Sequence, residues 1–226
     1  MTNRWEAFSQ ANAEFYILTK KGVDYSKPEG QELFYSSGVQ TTVTYLARVE
    51  KYLNCAEKAL EIGCGIGRLT FPHAKVFKEI FAVDISTTML AKLNRNANTN
   101  MVLNIKTFTP NQCWDIPKNL DYVYSWLTFQ HIQELSVIEN YIQRIGKALK
   151  KQGVAQLHFD TRYNNVFYQI RNNLPDFLLP EIHHRGIRRI RRNSCVLREL
   201  FKNNQLDILE EISRETADHT FILQKA

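Results

Sequence analysis

Hydrophobic positions along the chain change their period near residue 58. Before it they recur at helical spacing. Trp5, Phe8, Phe15 and Ile17 mark a helix over residues 2–19, and Val43, Leu46, Val49 and Leu53 mark a second over Thr41–Tyr52. Gly22, Pro28 and Gly30 punctuate a loop between them. After residue 58 short apolar runs alternate with amphipathic segments. The first strand ends at Ile62, and a helix follows from Arg68 to about Val76, with Pro72 near its start where the missing amide costs least. EIFAV (Glu79–Val83) is the second strand, and Ser86 caps a helix over Thr87–Asn96. Further strands are predicted at about Val102–Phe108 and at Asp121–Trp126. Glu134–Lys150 carries the strongest amphipathic pattern, with Leu135, Ile138, Tyr141, Ile142, Ile145 and Leu149 on one face and Lys147, Lys150 and Lys151 at its C-terminal end. Gly153 then ends the turn into VAQLHF (Val154–Phe159). Asp160 reads as the cap of a helix near Asn164, and another helix falls near Ser194–Asn203. Asp207–Ser213 and His219–Lys225 are two strands joined by a short polar turn. Alternating strands and helices imply an α/β fold, a parallel sheet with helices on both faces that ends in a hairpin.

Composition adds bounds. A chain of 226 residues is long enough to close one full core, so a single domain over 1–226 is expected. Within it, residues 1–57 read as a helical N-terminal cap and residues 58–226 as the α/β core, with 160–193 a segment between the fifth strand and the last helix. No apolar run is long enough to span a bilayer, and the polar start MTNRWEAFSQ does not read as a secretory signal. A cytoplasmic protein with no membrane partner, monomeric or homodimeric, is the expectation. Cys55, Cys64, Cys113 and Cys195 lie far apart, without zinc-ligand spacing, so free buried thiols and no metal are expected. The net charge of +6 matters mainly because much of it sits in HHRGIRRIRRN, where His183, His184, Arg185, Arg188, Arg189, Arg191 and Arg192 cluster.

The chemistry centres on ALEIGCGIGRLT, Ala59–Thr70. Glycines at 63, 65 and 67 leave the backbone bare after a strand, as a nucleotide-binding turn requires. A dinucleotide loop of the GxGxxG kind would need glycine where Arg68 stands. Glu61 places an acid where a diphosphate would otherwise lie, which suits a ligand with a cationic end. Asp84, ending the second strand, is spaced to accept hydrogen bonds from two ribose hydroxyls. A ribose, no phosphate and a positive group together describe S-adenosylmethionine.

From Lys58 onward the chain resembles the class I S-adenosylmethionine-dependent methyltransferases. EIGCGIG is similar to the family's first motif and FAVDIS to the strand after it. LDYVYSWLTFQHI resembles the fourth strand with its loop, and ALKKQGVAQLHF the fifth with its preceding turn. The resemblance implies a Rossmann-like three-layer sandwich with a seven-stranded, mostly parallel sheet and a C-terminal antiparallel hairpin. It implies S-adenosyl-L-methionine as cofactor and S-adenosyl-L-homocysteine as product. Carried over by position, Gly63, Cys64, Gly65 and Gly67 line the cofactor, Glu61 reaches its amino-acid end, and Asp84 holds the ribose. Ile85 packs on the adenine, and Asn111 and Gln112 stand where an acid often meets the adenine amino group. Ser125 and Trp126 border the methionine portion, with Arg68 near its carboxylate.

The acceptor is constrained by what the chain lacks. SWLTF replaces the (D/N)PP(Y/F) of exocyclic-amine nucleic-acid methylases, and the chain has neither the nucleophilic cysteine of cytosine-carbon methylases, the acidic magnesium site of catechol-type enzymes, nor the paired-glutamate loop of arginine methylases. The reading is transfer to an oxygen or nitrogen of a small molecule for which the arginine run admits an anionic group. His131 is the candidate base, and Tyr16, Tyr35, Phe129, His131, Arg185 and Arg188 are the candidate acceptor contacts. RNA methylation using residues 183–192 stands second, since such a run could contact phosphates. A cofactor-binding regulatory protein without turnover is a third reading.

Overall fold

The computed structural model describes residues 4–18, 20, 22–112, 118–180, 183–184 and 186–226. The strands form a seven-stranded, mostly parallel sheet of Rossmann-like type with helices around it and an antiparallel C-terminal hairpin. The chain divides into two compact units, residues 1–124 and 125–226.

In the first unit, β1 (Lys58–Ile62), β2 (Glu79–Val83), β3 (Ile105–Phe108) and β4 (Leu120–Ser125) lie in the order β3-β2-β1-β4. All pairings are parallel, with Leu60 opposite Phe81 on one side and Val123 on the other. The last four residues of β1 and of β2 and all of β4 are buried, which is why these segments read as continuous apolar runs without alternation. Ser86 caps α4 (Thr87–Thr99) as expected, its hydroxyl accepting from Met89 N at 3.1 Å. The helix expected to reach Val76 is only one turn, α3 (Thr70–His73). Pro72 has no amide to return to the Arg68 carbonyl, and that carbonyl abuts another helix.

That helix is α2 (Pro28–Val49), which follows α1 (Arg4–Leu18) and ends in a short 3-10 turn, Glu50–Tyr52. The loop predicted around Pro28 and Gly30 is therefore largely helix. Pro28 is its first residue, and the glycines serve close packing instead of turns. A Cβ on Gly30 would lie 2.1 Å from the Asp24 carbonyl oxygen, and one on Gly38 would lie 2.0 Å from the Arg68 carbonyl oxygen. The buried face also differs from the predicted one. Phe34, Gly38, Thr42, Tyr45 and Val49 point inward, while Val43 is 63% exposed. Gly38→Val would drive a branched side chain into backbone that cannot yield. We expect a loss of about 3 kcal/mol and, for a chain of this size, a melting temperature lowered by about 6–12 °C in differential scanning calorimetry.

The second unit holds α5 (Leu135–Ala148), β5 (Leu149–Phe159), α6 (Val166–Asn173), α7 (Ser194–Asn203), β6 (Leu206–Ile212) and β7 (His219–Lys225). β7 lies between β5 and β6, antiparallel to both, with Phe221 opposite Leu157 and Glu211. Ile138, Ile142 and Ile145 of α5 are fully buried, as the amphipathic pattern requires. The helix stops two residues early, and Lys150 and Lys151 belong to β5, which starts at Leu149 and not at Val154. Phe129, Phe159, Phe201 and Phe221 form the aromatic core here, with Phe129 stacked on Phe159 at 5.0 Å.

Candidate active site

The glycine loop is wired to the end of β2. Gly63 N and Cys64 N both donate to the Val83 carbonyl, at 2.8 and 3.0 Å. Gly63, Gly65 and Gly67 have φ of +79°, +53° and +97°, so a side chain at any of them would be strained. Asp84 closes the arrangement. Its Oδ2 accepts from Gly65 N at 2.8 Å and its Oδ1 from Ser86 N at 2.9 Å. Burial pushes this carboxyl up from its ordinary range, against the Ser86, Gly65 and Ile85 amides that favour the anion. A carboxylate offers about four acceptor positions, so these amides leave at least one for a ligand hydroxyl.

Glu61, on β1, is 3% exposed. Its Oε2 accepts from the Thr70 hydroxyl at 2.6 Å and the Tyr124 hydroxyl at 2.9 Å. Burial nevertheless raises its pKa to about 8. Arg68 makes no ion pair with it. The Arg68 guanidinium, itself buried, donates to Ser37 Oγ at 3.4 Å and Thr41 Oγ1 at 3.2 Å on α2. Ile85 is 57% exposed beside Asp84, and Asn111 and Gln112 are exposed, with Gln112 Oε1 accepting from Thr109 N and Oγ1.

α1 lies over this loop. A Cβ on Gly65 would meet Ile17 Cδ1 at 2.8 Å, so the isoleucine occupies the space the glycine leaves. Two further contacts fasten α1 to α4. Glu6 accepts from Ser86 Oγ at 2.7 Å and from the Thr88 hydroxyl, and Lys92 Nζ donates to Ser9 O at 2.5 Å. The Thr88 and Ser86 hydroxyls hold the Glu6 carboxyl below its usual range. Nothing in the residue pattern signals Glu6, because its partners lie eighty residues away. Tyr16 stacks on Phe8 at 4.2 Å, and the Tyr35 hydroxyl accepts from Asn96 Nδ2 at 2.9 Å, so both predicted acceptor contacts help hold the cap. Glu6→Ala should release α1 while leaving α4 capped by Ser86. The expected result is faster hydrogen exchange across residues 4–18 and unchanged exchange in β1 and β2.

In the second unit, Ser125 is buried, and the half-buried Trp126 ring lies 4.4 Å from that of His158. Phe129 is a correction. Its ring is fully buried in the aromatic core, so it cannot contact an acceptor. His131 Nε2 lies 3.2 Å from Gln130 Nε2, and burial, then the Arg189 charge, lower its pKa to about 4. His158 is fully buried and also held near 4 by burial, with Asp218 Oδ1 at 3.4 Å. Arg188 is 6% exposed, and Arg185 lies outside the described residues. Asp160 does not cap the next helix. Asn165 does, accepting from Tyr168 N, while buried Asp160 takes a two-pronged bond from Arg162. Cys64 is buried but Cys195 is exposed, correcting the expectation for that thiol, and Cys113 lies outside the described residues. Among the described residues no His, Cys, Asp and Glu group is arranged for a metal, and no helix is long and apolar enough to cross a membrane.

The first unit therefore presents a bare backbone turn, a carboxylate following β2 with acceptor capacity to spare, and a buried acid near the end of β1. These features fit a ribose-bearing ligand with a cationic group. A family model described as a methyltransferase domain matches residues 59–153. The ribosomal RNA small subunit methyltransferase A of Wigglesworthia glossinidia brevipalpis is 29% identical over 110 residues, which are 44% of this chain and only 40% of that protein. Among solved structures, the magnesium protoporphyrin IX methyltransferase of Synechocystis PCC 6803 with bound SAH superposes with a TM-score of 0.65 at 14% identity over 98% of both chains. An S-adenosylmethionine-dependent methyltransferase from Clostridium acetobutylicum ATCC 824 gives 0.65 at 14% identity over 97% of this chain and 99% of that one. At these identities the two structures speak for the fold. The domain match, over less than half of the chain, and the fold both agree with the class I S-adenosylmethionine-dependent methyltransferases.

Proposed function

We propose that the protein transfers a methyl group from S-adenosylmethionine to an oxygen or nitrogen of a small molecule. The observation that carries this reading is the Asp84 carboxylate, held at the end of β2 beside the glycine turn by the Gly65 and Ser86 amides. When bound, the cofactor supplies a sulfonium methyl, and in-line attack by the acceptor's lone pair breaks the carbon–sulfur bond and leaves a neutral thioether. Asp84 would hold the ribose hydroxyls, and Glu61 the cationic amino-acid end. Ile85, Asn111 and Gln112 would meet the adenine, and Ser125 and Trp126 the methionine portion. Because the leaving group is good, the main task of these residues is to position the reacting atoms.

A hydroxyl acceptor must also lose a proton. His131, with a pKa near 4, is neutral at pH 7, the state a base needs, but its low basicity limits the driving force. His131→Ala should lower kcat by about tenfold, below the usual range for an acid–base residue, and remove the limb of the pH–rate profile near pH 4. An unchanged profile would exclude His131 as the base.

The donor is tested by thermal shift with S-adenosylmethionine and with NAD; stabilisation by NAD alone overturns the reading. The acceptor is tested with labelled methyl donor on fractionated extract, where a low-mass labelled product is expected. RNA is the second reading, favoured by the partial match to a ribosomal RNA methyltransferase and by the arginine run. It predicts label that ribonuclease removes.

A further inference from the structure

The arginine run folds back on itself instead of lining an open face. Tyr168, buried on α6, is its centre. The guanidinium carbons of Arg191 and Arg171 lie 4.4 and 5.5 Å from its ring centroid, and Arg191 N donates to its hydroxyl at 3.0 Å. Arg191 Nη1 donates to the Tyr163 carbonyl, and Arg192 Nη2 donates to the carbonyls of Ile132 and Gln133, both at 2.6 Å. Beside them opens a recess of about 400 Å³, bordered by Arg188, Arg191, Arg192, Tyr168, Asn172 and Gln133.

Among the described residues, none of Arg171, Arg191 and Arg192 has a carboxylate within salt-bridge distance. Of the acids whose charge reaches Arg191 and Arg192, Asp160 is fully buried and taken by Arg162 at 2.6 and 3.0 Å, and Glu134 forms no ion pair with Arg192. The Nε groups of Arg171, Arg191 and Arg192 are buried with no acceptor among the described residues. Burial and the neighbouring Arg162 hold the Arg191 guanidinium below its ordinary range, and burial does the same for Arg192. Main-chain carbonyls meanwhile fix Arg191 and Arg192, so neither is free to swing into solvent. Guanidiniums immobilised in this way have already lost the rotamer freedom that binding an anion would remove.

We propose that this recess binds the phosphate or diphosphate group of a small molecule, the methyl acceptor if the small-molecule reading of the function holds. The Arg191 and Arg192 guanidiniums together exceed what one carboxylate neutralises, and their planar forks match phosphate oxygens. Asn172 and Gln133 supply neutral amides for the remaining lone pairs. A nucleic-acid strand would instead call for a stripe of cations along an open groove with bases stacked on exposed rings. Here the cations converge on one recess, and the ring among them is buried.

The test is calorimetric titration of the full chain with sodium diphosphate at fixed ionic strength, without methyl donor. Saturable binding is expected, weakened at least tenfold by Arg191→Gln and by Asn172→Asp, which sets a negative charge on the border of the recess, and unchanged by Lys75→Gln on the exposed surface of the first unit. The Asn172 side chain makes no hydrogen bond among the described residues, so its variant decides the matter if Arg191→Gln does not fold. No diphosphate binding, or binding indifferent to both substitutions, overturns the proposal. So does a polyuridine oligonucleotide that binds through Arg191 and that diphosphate cannot displace. Because no methyl donor is present, a negative result leaves the methyl-transfer reading standing, and failure to bind donor leaves this recess untouched.

Discussion

Asp84→Ala should weaken binding of S-adenosylhomocysteine on the order of 100-fold, because two hydrogen bonds to an anionic acceptor are worth roughly 3 kcal/mol together. The loss has two sources. The ribose hydroxyls lose their acceptor, and the Gly65 and Ser86 amides lose the carboxylate that fixes the glycine loop at 2.8 and 2.9 Å. Asp84→Asn separates them. It keeps an oxygen for one amide but sets an amide nitrogen, a donor, against the other, so it should also bind poorly while melting closer to the parent. Titration calorimetry with the product, together with circular dichroism to confirm the fold, reads both. Equal affinity in Asp84→Ala and the parent would remove the ribose assignment.

Between pH 6 and pH 7.5 the affinity for S-adenosylmethionine should rise by about tenfold per pH unit, since a buried acid must give up its proton to face a cation. The acid is Glu61, whose pKa burial raises to about 8 despite the hydroxyls of Thr70 and Tyr124. The sign follows from linkage. A folded pKa above the ordinary carboxyl value of 4.5 favours the protonated acid, so its contribution to the free protein's stability is present below about pH 4.5 and is lost as the pH rises towards 8. A cationic ligand reverses the preference by favouring the anion, and the proton leaves on binding. Calorimetry in two buffers of different ionisation enthalpy would measure that proton directly. Glu61→Gln should bind weakly with little pH dependence. A tenfold rise that persists in Glu61→Gln would assign the proton to another group.

Much of the first unit was legible because its signals are local. A run of apolar residues ending in glycines, as at Ile62–Gly67, leaves one strand and one turn as the economical reading. Ser86 before a helical pattern caps that helix wherever it packs, and it does so here. Gly30 misled for the opposite reason. A glycine that gives a turn its φ and one that lets two backbones touch look alike in one dimension, and only the Asp24 carbonyl distinguishes them. Phe129 failed similarly, since its place on the loop after β4 suggested exposure to an acceptor, while its stacking on Phe159 is a contact across thirty residues.

The alternation of strand and helix, the spacing of Gly63, Gly65 and Gly67, and the acids at 61 and 84 determined by themselves that this chain would build a bare glycine turn flanked by two acids on a parallel sheet. They did so because those properties depend on backbone freedom and on neighbours a few residues apart. Tertiary structure decided the rest. It laid Ile17 on Gly65, set Glu6 against Ser86 and Thr88, buried Glu61 deeply enough to hold its proton, and gathered Arg171, Arg188, Arg191 and Arg192 around Tyr168. Burial and charge balance are sums over groups distant in sequence, and no local pattern encodes them.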